Sequence, residues 1–190
     1  MITPYSATPE STVREAIKLS GIDYNSIVYD IGSGDGRVAV EAAAVGAKKV
    51  IAIEINELFK KLIDWNCKRK PVNTVEIIID DAINIDYSSA THVISSVRVK
   101  EVEEKIAKEI KPGTKVVTFG WEFAGLNNPE KNQVNLLGYK YNFEIRLRNF
   151  EDIQSLYPLT VEELITKMPA VLEYQWAGPI YNSVWIYTKE

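Results

Sequence analysis

The 190-residue chain has one histidine and one cysteine, and each scarcity removes a class of chemistry. With Cys67 alone, neither an internal disulfide nor a cysteine-based zinc site can form. With His92 the only histidine, a metal centre or zinc hydrolase built on several histidines is unavailable, so no metal site is expected. Basic residues never run longer than Lys68-Arg69-Lys70, and 22 Lys+Arg against 26 Asp+Glu give a formal charge of −4. A broad electrostatic footprint for duplex nucleic acid is therefore missing, although a local basic rim is compatible with this balance. No stretch approaches the ~18 apolar residues that span a bilayer, and the N-terminal MITPYSATPE lacks the basic and apolar regions of a secretory signal. A soluble cytoplasmic protein with no membrane partner is expected. There is no internal repeat, low-complexity tract or Gly/Ser/Pro linker, so residues 1–190 are expected to form one domain. With 46% apolar and 25% charged residues, that domain can bury a sizeable core. Its chemistry must come from a cofactor, carboxylates, hydroxyls or aromatics.

The first two thirds of the chain alternate short β-rich runs with helical ones, the pattern of a parallel sheet with crossover helices. Thr8 and Pro9 open a helix through about Ser20, ended by Gly21. Ser26-IVYDI-Gly32 and Lys49-VIAIEI-Asn56 are nearly continuous apolar runs, as expected of central parallel strands covered on both faces. An Ala-rich helix is expected over about 36–45, a further helix over 57–68, and strands over 74–79, 91–95 and 115–119. The charged stretch at about 98–110 predicts a helix whose Lys and Glu form a solvated face with i,i+4 pairs, and Pro112-Gly113 turns it into the fifth strand. Beyond Trp121 the alternation is lost. A polar loop rich in Asn is followed by an aromatic strand candidate at 139–147, a short helix at 160–167 capped by Thr160 with Glu163 at the capping-box position, and two aromatic runs, 171–176 and 183–188, that predict a terminal antiparallel hairpin. The expected fold is α/β: a doubly wound, Rossmann-like, mostly parallel sheet in a three-layer α/β/α arrangement, with a C-terminal antiparallel hairpin and an insertion at 127–170.

The densest signal is Asp30-Ile-Gly-Ser-Gly-Asp-Gly36, between the first strand and its helix. Gly32, Gly34 and Gly36 permit a tight turn and let a ligand approach the backbone, and the helix N-terminus that follows offers free N–H groups. Twenty-two residues beyond Gly32, Glu54 ends the second strand, where a carboxylate can accept from both hydroxyls of a ribose. The spacing is G-x-G-x-G rather than the dinucleotide G-x-G-x-x-G, and Asp30 and Asp35 would repel a pyrophosphate. Asp30 instead suits the ammonium of a methionine moiety, which points to S-adenosylmethionine. Asp81-Ala82, at the end of the third strand, is placed for the adenine: the carboxylate can accept from the exocyclic amine and an adjacent N–H can meet a ring nitrogen. Ser33 completes the loop expected to hold the cofactor.

VYDIGSGDG, VIAIEIN, IIDDA and IKPGTKVV together resemble the class I, or seven-β-strand, S-adenosylmethionine-dependent methyltransferases over about residues 26–119. With Pro4-Tyr5-x-x-Thr8-Pro9, DIGSGDGR and EIN, the chain looks most like the small archaeal protein lysine methyltransferases and their mitochondrial relatives. Those usually carry PYVPTP where this chain has Pro4-Tyr-Ser-Ala-Thr-Pro9, and they are shorter after strand five. The resemblance implies that the N-terminal segment folds over the cofactor, with Tyr5 and Thr8 close to it and Tyr5 near the methyl donor.

Transfer from a sulfonium needs in-line approach and exclusion of water more than it needs an acid or base, so no catalytic residue in the strict sense is expected. A lysine acceptor, with a pKa of about 10.4, must be held neutral by an apolar or aromatic channel. Tyr5, Ser95, Ser96, Trp121 and Glu122 sit at the edges that would line it, and Glu122 could guide an ammonium. The Asn-Pro-Pro-aromatic motif common among enzymes that methylate nucleobases or glutamine amides is replaced by Val93-ISSVRV. The favoured expectation is methylation of lysine in a protein partner. The alternatives are a methyltransferase for RNA or a small metabolite, and a non-catalytic cofactor-binding subunit. His92 and Cys67 are expected to be packing residues.

Overall fold

A computed structural model describes residues 8, 10–133 and 183–190. The apolar runs form strands β1 (Ile27–Ile31), β2 (Lys49–Glu54), β3 (Val75–Ile79), β4 (His92–Ser95) and β5 (Lys115–Thr118), with β6 (Glu130–Gln133) and β7 (Ser183–Thr188) following. Helices α1 (Glu10–Ser20), α2 (Arg37–Ala44), α3 (Lys60–Arg69) and α4 (Lys100–Glu109) connect them. The sheet order is β3-β2-β1-β4-β5-β7-β6. β1 to β5 are parallel, and β7 runs antiparallel to both β5 and β6.

Alternation along the strands divides the core into two layers. Val28, Val50, Ala52, Ile94 and Val117 face α1, α2 and α3, where Val13, Ile17, Val38, Ala42 and Ile63 meet them. Tyr29, Ile31, Ile51, Ile53, Val93 and Val116 face α4 through Val102, Ile106 and Ile110. Each fully buried Val or Ile contributes about 1.5–3 kcal/mol. The order reverses between β1 and β4, which is the switch point beside which ligands bind at the carboxyl ends of such strands.

Several expectations need revision. β6 lies in the Asn-rich stretch, where composition promised only loop; its ladder comes from β7, and the Lys131 ammonium rests 4.0 Å over the Trp185 ring. The third helix opens as a 3-10 turn, Glu57–Phe59, in which Asn56 accepts from the Leu58 N–H at 3.1 Å. A second 3-10 turn, Ala82–Asn84, follows β3. The antiparallel partners of β7 are β5 and β6, while the expected hairpin arm at 171–176 lies outside the described residues, as do the expected strand at 139–147, the helix at 160–167 and the insertion beyond 133. On α4, Lys100–Glu104 (3.6 Å) and Lys105–Glu109 form the expected i,i+4 pairs. Glu103 does not belong to that solvated face: it is 3% exposed, because it shares the inward stripe with Val102, Ile106 and Ala107.

His92 starts β4, at the sheet edge opposite the glycine loop. Its Nε2 lies 3.2 Å from the Ser20 carbonyl, which also accepts from Lys115 Nζ at 2.7 Å. Burial holds the imidazole below its ordinary pKa. The unfolded chain thus binds a proton first as pH falls below about 6.5, and this contribution to stability, full above that pH, declines through the folded pKa. His92→Gln should flatten that part of the difference profile in urea unfolding from pH 5 to 8. An unchanged pH slope in the variant would rule the group out.

Candidate functional site

The chain leaves the core at the end of β1 and turns through three left-handed glycines: Gly32 (φ 70°), Gly34 (φ 54°) and Gly36 (φ 81°). The Gly32 and Ser33 N–H groups both donate to the Ile53 carbonyl, at 3.0 and 2.9 Å, which docks the loop onto β2. Close approach also requires glycine: a Cβ on Gly32 would stand 2.3 Å from Val97 Cγ1, and one on Gly36 2.8 Å from Ile63 Cγ2. The start of α2 is met by carboxylates: the Arg37 N–H donates to Asp35 Oδ1 at 3.2 Å and the Ala39 N–H acts on Asp30, at the positive end of the helix dipole.

Three carboxylates end three adjacent strands. Asp30 is fully buried, and its Oδ2 accepts from Ser33 Oγ at 2.7 Å. Burial pushes its pKa up to about 7, with Ser33 and the Ala39 N–H opposing and the charges of Glu54 and Asp35 adding to the rise. Glu54 accepts from the Gly34 N–H at 2.9 Å and from the Asn56 N–H at 3.0 Å. Burial raises its pKa too, and those two N–H groups offset part of the effect. Each Glu54 oxygen keeps a lone pair for a hydroxyl donor. Asp81 is half-buried and caps the 3-10 turn by accepting from the Ile83 N–H at 3.1 Å; the Ala82 carbonyl accepts from Tyr87 Oη at 2.7 Å.

Asp35, expected in the ligand loop, turns its carboxylate to Arg37, with Nη2 at 2.6 Å from Oδ2 and Nε at 3.0 Å from Oδ1. Arg37 Nη1 in turn donates to the Thr8 carbonyl at 2.8 Å, tying the N-terminal segment to the loop. Thr8 is buried, and Tyr5 lies outside the described residues. Arg37 carries a role that the sequence reading left unassigned; its signal was an arginine directly after the glycine loop. Ile55 and Ile83, also unassigned, are exposed apolar side chains directly after Glu54 and one residue after Ala82. Their signal was an apolar residue following each strand-end carboxylate, a fitting flank for a flat base.

The opposite side of the switch point holds the acceptor candidates. Ser95 is buried and donates to the Val97 carbonyl at 2.7 Å, shaping the turn whose Val97 underlies Gly32. Ser96 is half-buried, and its N–H donates to the Ile31 carbonyl at 2.9 Å. Trp121 is half-buried against Phe119, 6.4 Å between ring centroids. Glu122 is exposed and lines a cleft of about 590 Å³ together with Arg98, Lys100, Glu103, Phe123 and Leu126.

These features suit a ligand with an ammonium for the buried Asp30 carboxylate, hydroxyls for Glu54 and a flat apolar-faced group near the exposed Ile55 and Ile83. Comparison with known proteins points the same way. The chain is 35% identical over 133 residues to a protein-lysine N-methyltransferase of Saccharolobus islandicus, covering 67% of this chain and 82% of that one. An RNA methyltransferase from Salinibacter ruber, solved with S-adenosyl-L-homocysteine, is 31% identical with a TM-score of 0.60, over 70% of this chain and 88% of the other. A tRNA methyltransferase from Aquifex aeolicus, 17% identical with a TM-score of 0.63 over 96% of this chain and 69% of that one, shares the fold. Because the model of the ANTKMT methyltransferase domain matches residues 30–130, from the carboxylate that ends β1 to the start of β6, the chain belongs to that family and is an S-adenosylmethionine-dependent methyltransferase.

Proposed function

We propose that the protein is an archaeal-type protein-lysine N-methyltransferase, acting as a single cytoplasmic domain on protein partners, with 127–170 as an insertion on the methyltransferase core. The observation that carries the choice of acceptor is electrostatic. Asp30 and Glu54 place acidic groups at the cofactor edge and the chain carries −4 overall, while in the neighbouring cleft Glu103 and Glu122 are accompanied by Arg98 and Lys100. The acidic edge attracts a cationic side chain and repels a phosphate backbone. The likeness to the Saccharolobus protein-lysine N-methyltransferase supports the same reading.

When bound, the cofactor supplies a methyl group on a sulfonium, so that N–C bond formation accompanies S–C bond breakage. Asp30 would hold the ammonium of the methionine moiety, Glu54 would accept from the ribose hydroxyls, and Asp81 with the Ala82 N–H would meet the adenine. Ser33, Gly34, Asp35 and Gly36 form the loop that wraps the ligand, with Arg37 holding Asp35 and the Thr8 carbonyl in place. By this proposal Thr8 and Tyr5 would cover the cofactor, and Tyr5, Ser95, Trp121 and Glu122 would line the acceptor route. A lysine ammonium, at a pKa of about 10.4, must release its proton to water before attack, and an aromatic channel with the sulfonium charge beside it would favour that release.

Glu54→Ala removes the ribose contact and two acceptors of loop N–H groups. Affinity for S-adenosylhomocysteine, read by calorimetry, should fall by roughly 1–3 kcal/mol; wild-type affinity would refute the assignment. For the acceptor, purified protein is incubated with methyl-labelled cofactor and cell extract. Protease-sensitive label is the expected result. Ribonuclease-sensitive label would favour the second reading, RNA methylation, which rests on the Salinibacter structure and on the exposed Arg98 and Lys100.

A further inference from the structure

The turn after β3 bears Asp81 and Ala82, and α4 packs against it. Residues 80–86 are exposed or half-buried and form only one short 3-10 turn, which has little stability of its own. Their anchor is Tyr87. It is 0% exposed, and its ring packs on Tyr29 with 5.4 Å between centroids.

Tyr87 Oη donates to the Ala82 carbonyl at 2.7 Å. That carbonyl belongs to the Ala82–Ile83 peptide group, whose N–H donates to Asp81 Oδ1 at 3.1 Å. One rigid peptide plane is therefore held at both ends, by the phenol at its oxygen and by the Asp81 carboxylate at its nitrogen. Rotating the plane would carry the carboxylate with it. Burial first, then the nearby Glu109, Tyr29 and Asp81, hold the phenol above its ordinary pKa, so the hydroxyl stays a donor.

Helix α4 completes the clasp. Glu109 Oε2 accepts from the Tyr87 N–H at 3.1 Å. Lys105 Nζ donates to the Ile85 carbonyl at 2.6 Å, stands 5.2 Å over the Tyr87 ring and pairs with Glu109. Packing alone would be served by phenylalanine, which fills the same space without a hydroxyl to satisfy.

We propose that Tyr87 is a positioning residue for recognition of the cofactor's base: through the Ala82–Ile83 peptide it aims the Asp81 carboxylate and the Ala82 N–H at the adenine edge, while Lys105 and Glu109 fix the segment that carries it. The proposal rests on the reading of Asp81 and Ala82 as the adenine site and adds the residues that make this site selective. Adenine offers an amine donor and a ring-nitrogen acceptor; hypoxanthine, with a carbonyl and a ring N–H in their places, reverses both.

The test is calorimetric titration of the full-length protein with S-adenosylhomocysteine and with S-inosylhomocysteine, its hypoxanthine counterpart. Urea unfolding monitors the fold. Wild type should prefer the adenosyl ligand by roughly 30-fold or more. Tyr87→Phe keeps the ring and removes the hydroxyl; it should weaken the adenosyl ligand about fivefold or more and the inosyl ligand less than about twofold, so the preference narrows. A preference unchanged from wild type, with both ligands weakened alike or neither weakened, overturns the positioning role even if the urea midpoint falls. If Tyr87→Phe does not fold, Lys105→Met carries the test: narrowing of the preference by about threefold or more supports the proposal, and an unchanged preference overturns it. Equal wild-type affinity for the two ligands defeats the adenine reading itself and the proposal with it, a failure seen before any variant is made.

Discussion

Gly32→Ala should abolish cofactor binding at ordinary concentrations and destabilise the protein by about 2–5 kcal/mol. Two costs combine. The residue adopts φ 70°, which an L side chain disfavours by roughly 1–2 kcal/mol. Its Cβ would also stand 2.3 Å from Val97 Cγ1, a stiff β-branched group on a turn pinned by the Ser95–Val97 hydrogen bond. Relief must then come from the loop, whose Gly32 and Ser33 N–H groups would leave the Ile53 carbonyl. The double variant Gly32→Ala/Val97→Ala should recover the steric part and keep the backbone strain, so its urea midpoint should fall between those of the single variant and wild type. Wild-type affinity and stability in Gly32→Ala would contradict this view of the loop.

Asp30→Asn has the second largest expected effect, and its signature is a pH profile. In the free protein the carboxyl titrates at about 7 because it is buried. Its folded pKa exceeds the unfolded value of 3.8, so its contribution to stability is fully present below 3.8 and is lost as pH rises through about 7. An ammonium placed against it favours the ionised form, so cofactor binding below pH 7 expels a proton. Affinity should therefore rise with pH up to about 7, level off, and fall once the ligand's own amine deprotonates near ~8. Asp30→Asn should weaken binding about 10- to 150-fold at pH 7.5, the range of a charge-assisted hydrogen bond. It should also flatten the lower limb, leaving the shallower slope due to Glu54, whose pKa is raised as well. An unchanged limb and unchanged affinity would remove Asp30 from the ammonium site.

Much of this site was legible in the sequence because buried parallel strands have little compositional freedom. IVYDI and VIAIE are apolar on both faces, and the polar residues that interrupt or end them, Asp30 and Glu54, stand out. The three glycines stand out for the same reason, since their positive φ values favour glycine and a Cβ on Gly32 or Gly36 would run into Val97 or Ile63. β6 was illegible because EKNQ has no β pattern of its own and becomes a strand through β7. Glu103 was hidden for the opposite reason: one carboxylate among Lys and Glu looks solvated, yet it falls four residues before Ala107 and seven before Ile110, on the buried stripe. The Arg37 contact to Thr8 crosses 29 residues and depends on how α1 packs on α2, which no local pattern encodes.

The most direct measurement is the chemical identity of the labelled product. Purified protein, methyl-labelled S-adenosylmethionine and a protein extract are incubated at pH 8, the protein fraction is hydrolysed to amino acids, and the label is assigned by mass spectrometry. Label in methylated lysine, lost with Glu54→Ala and Gly32→Ala, is the expected result. Label confined to nucleotides, or to an amino acid other than lysine, would contradict protein-lysine methylation by this enzyme.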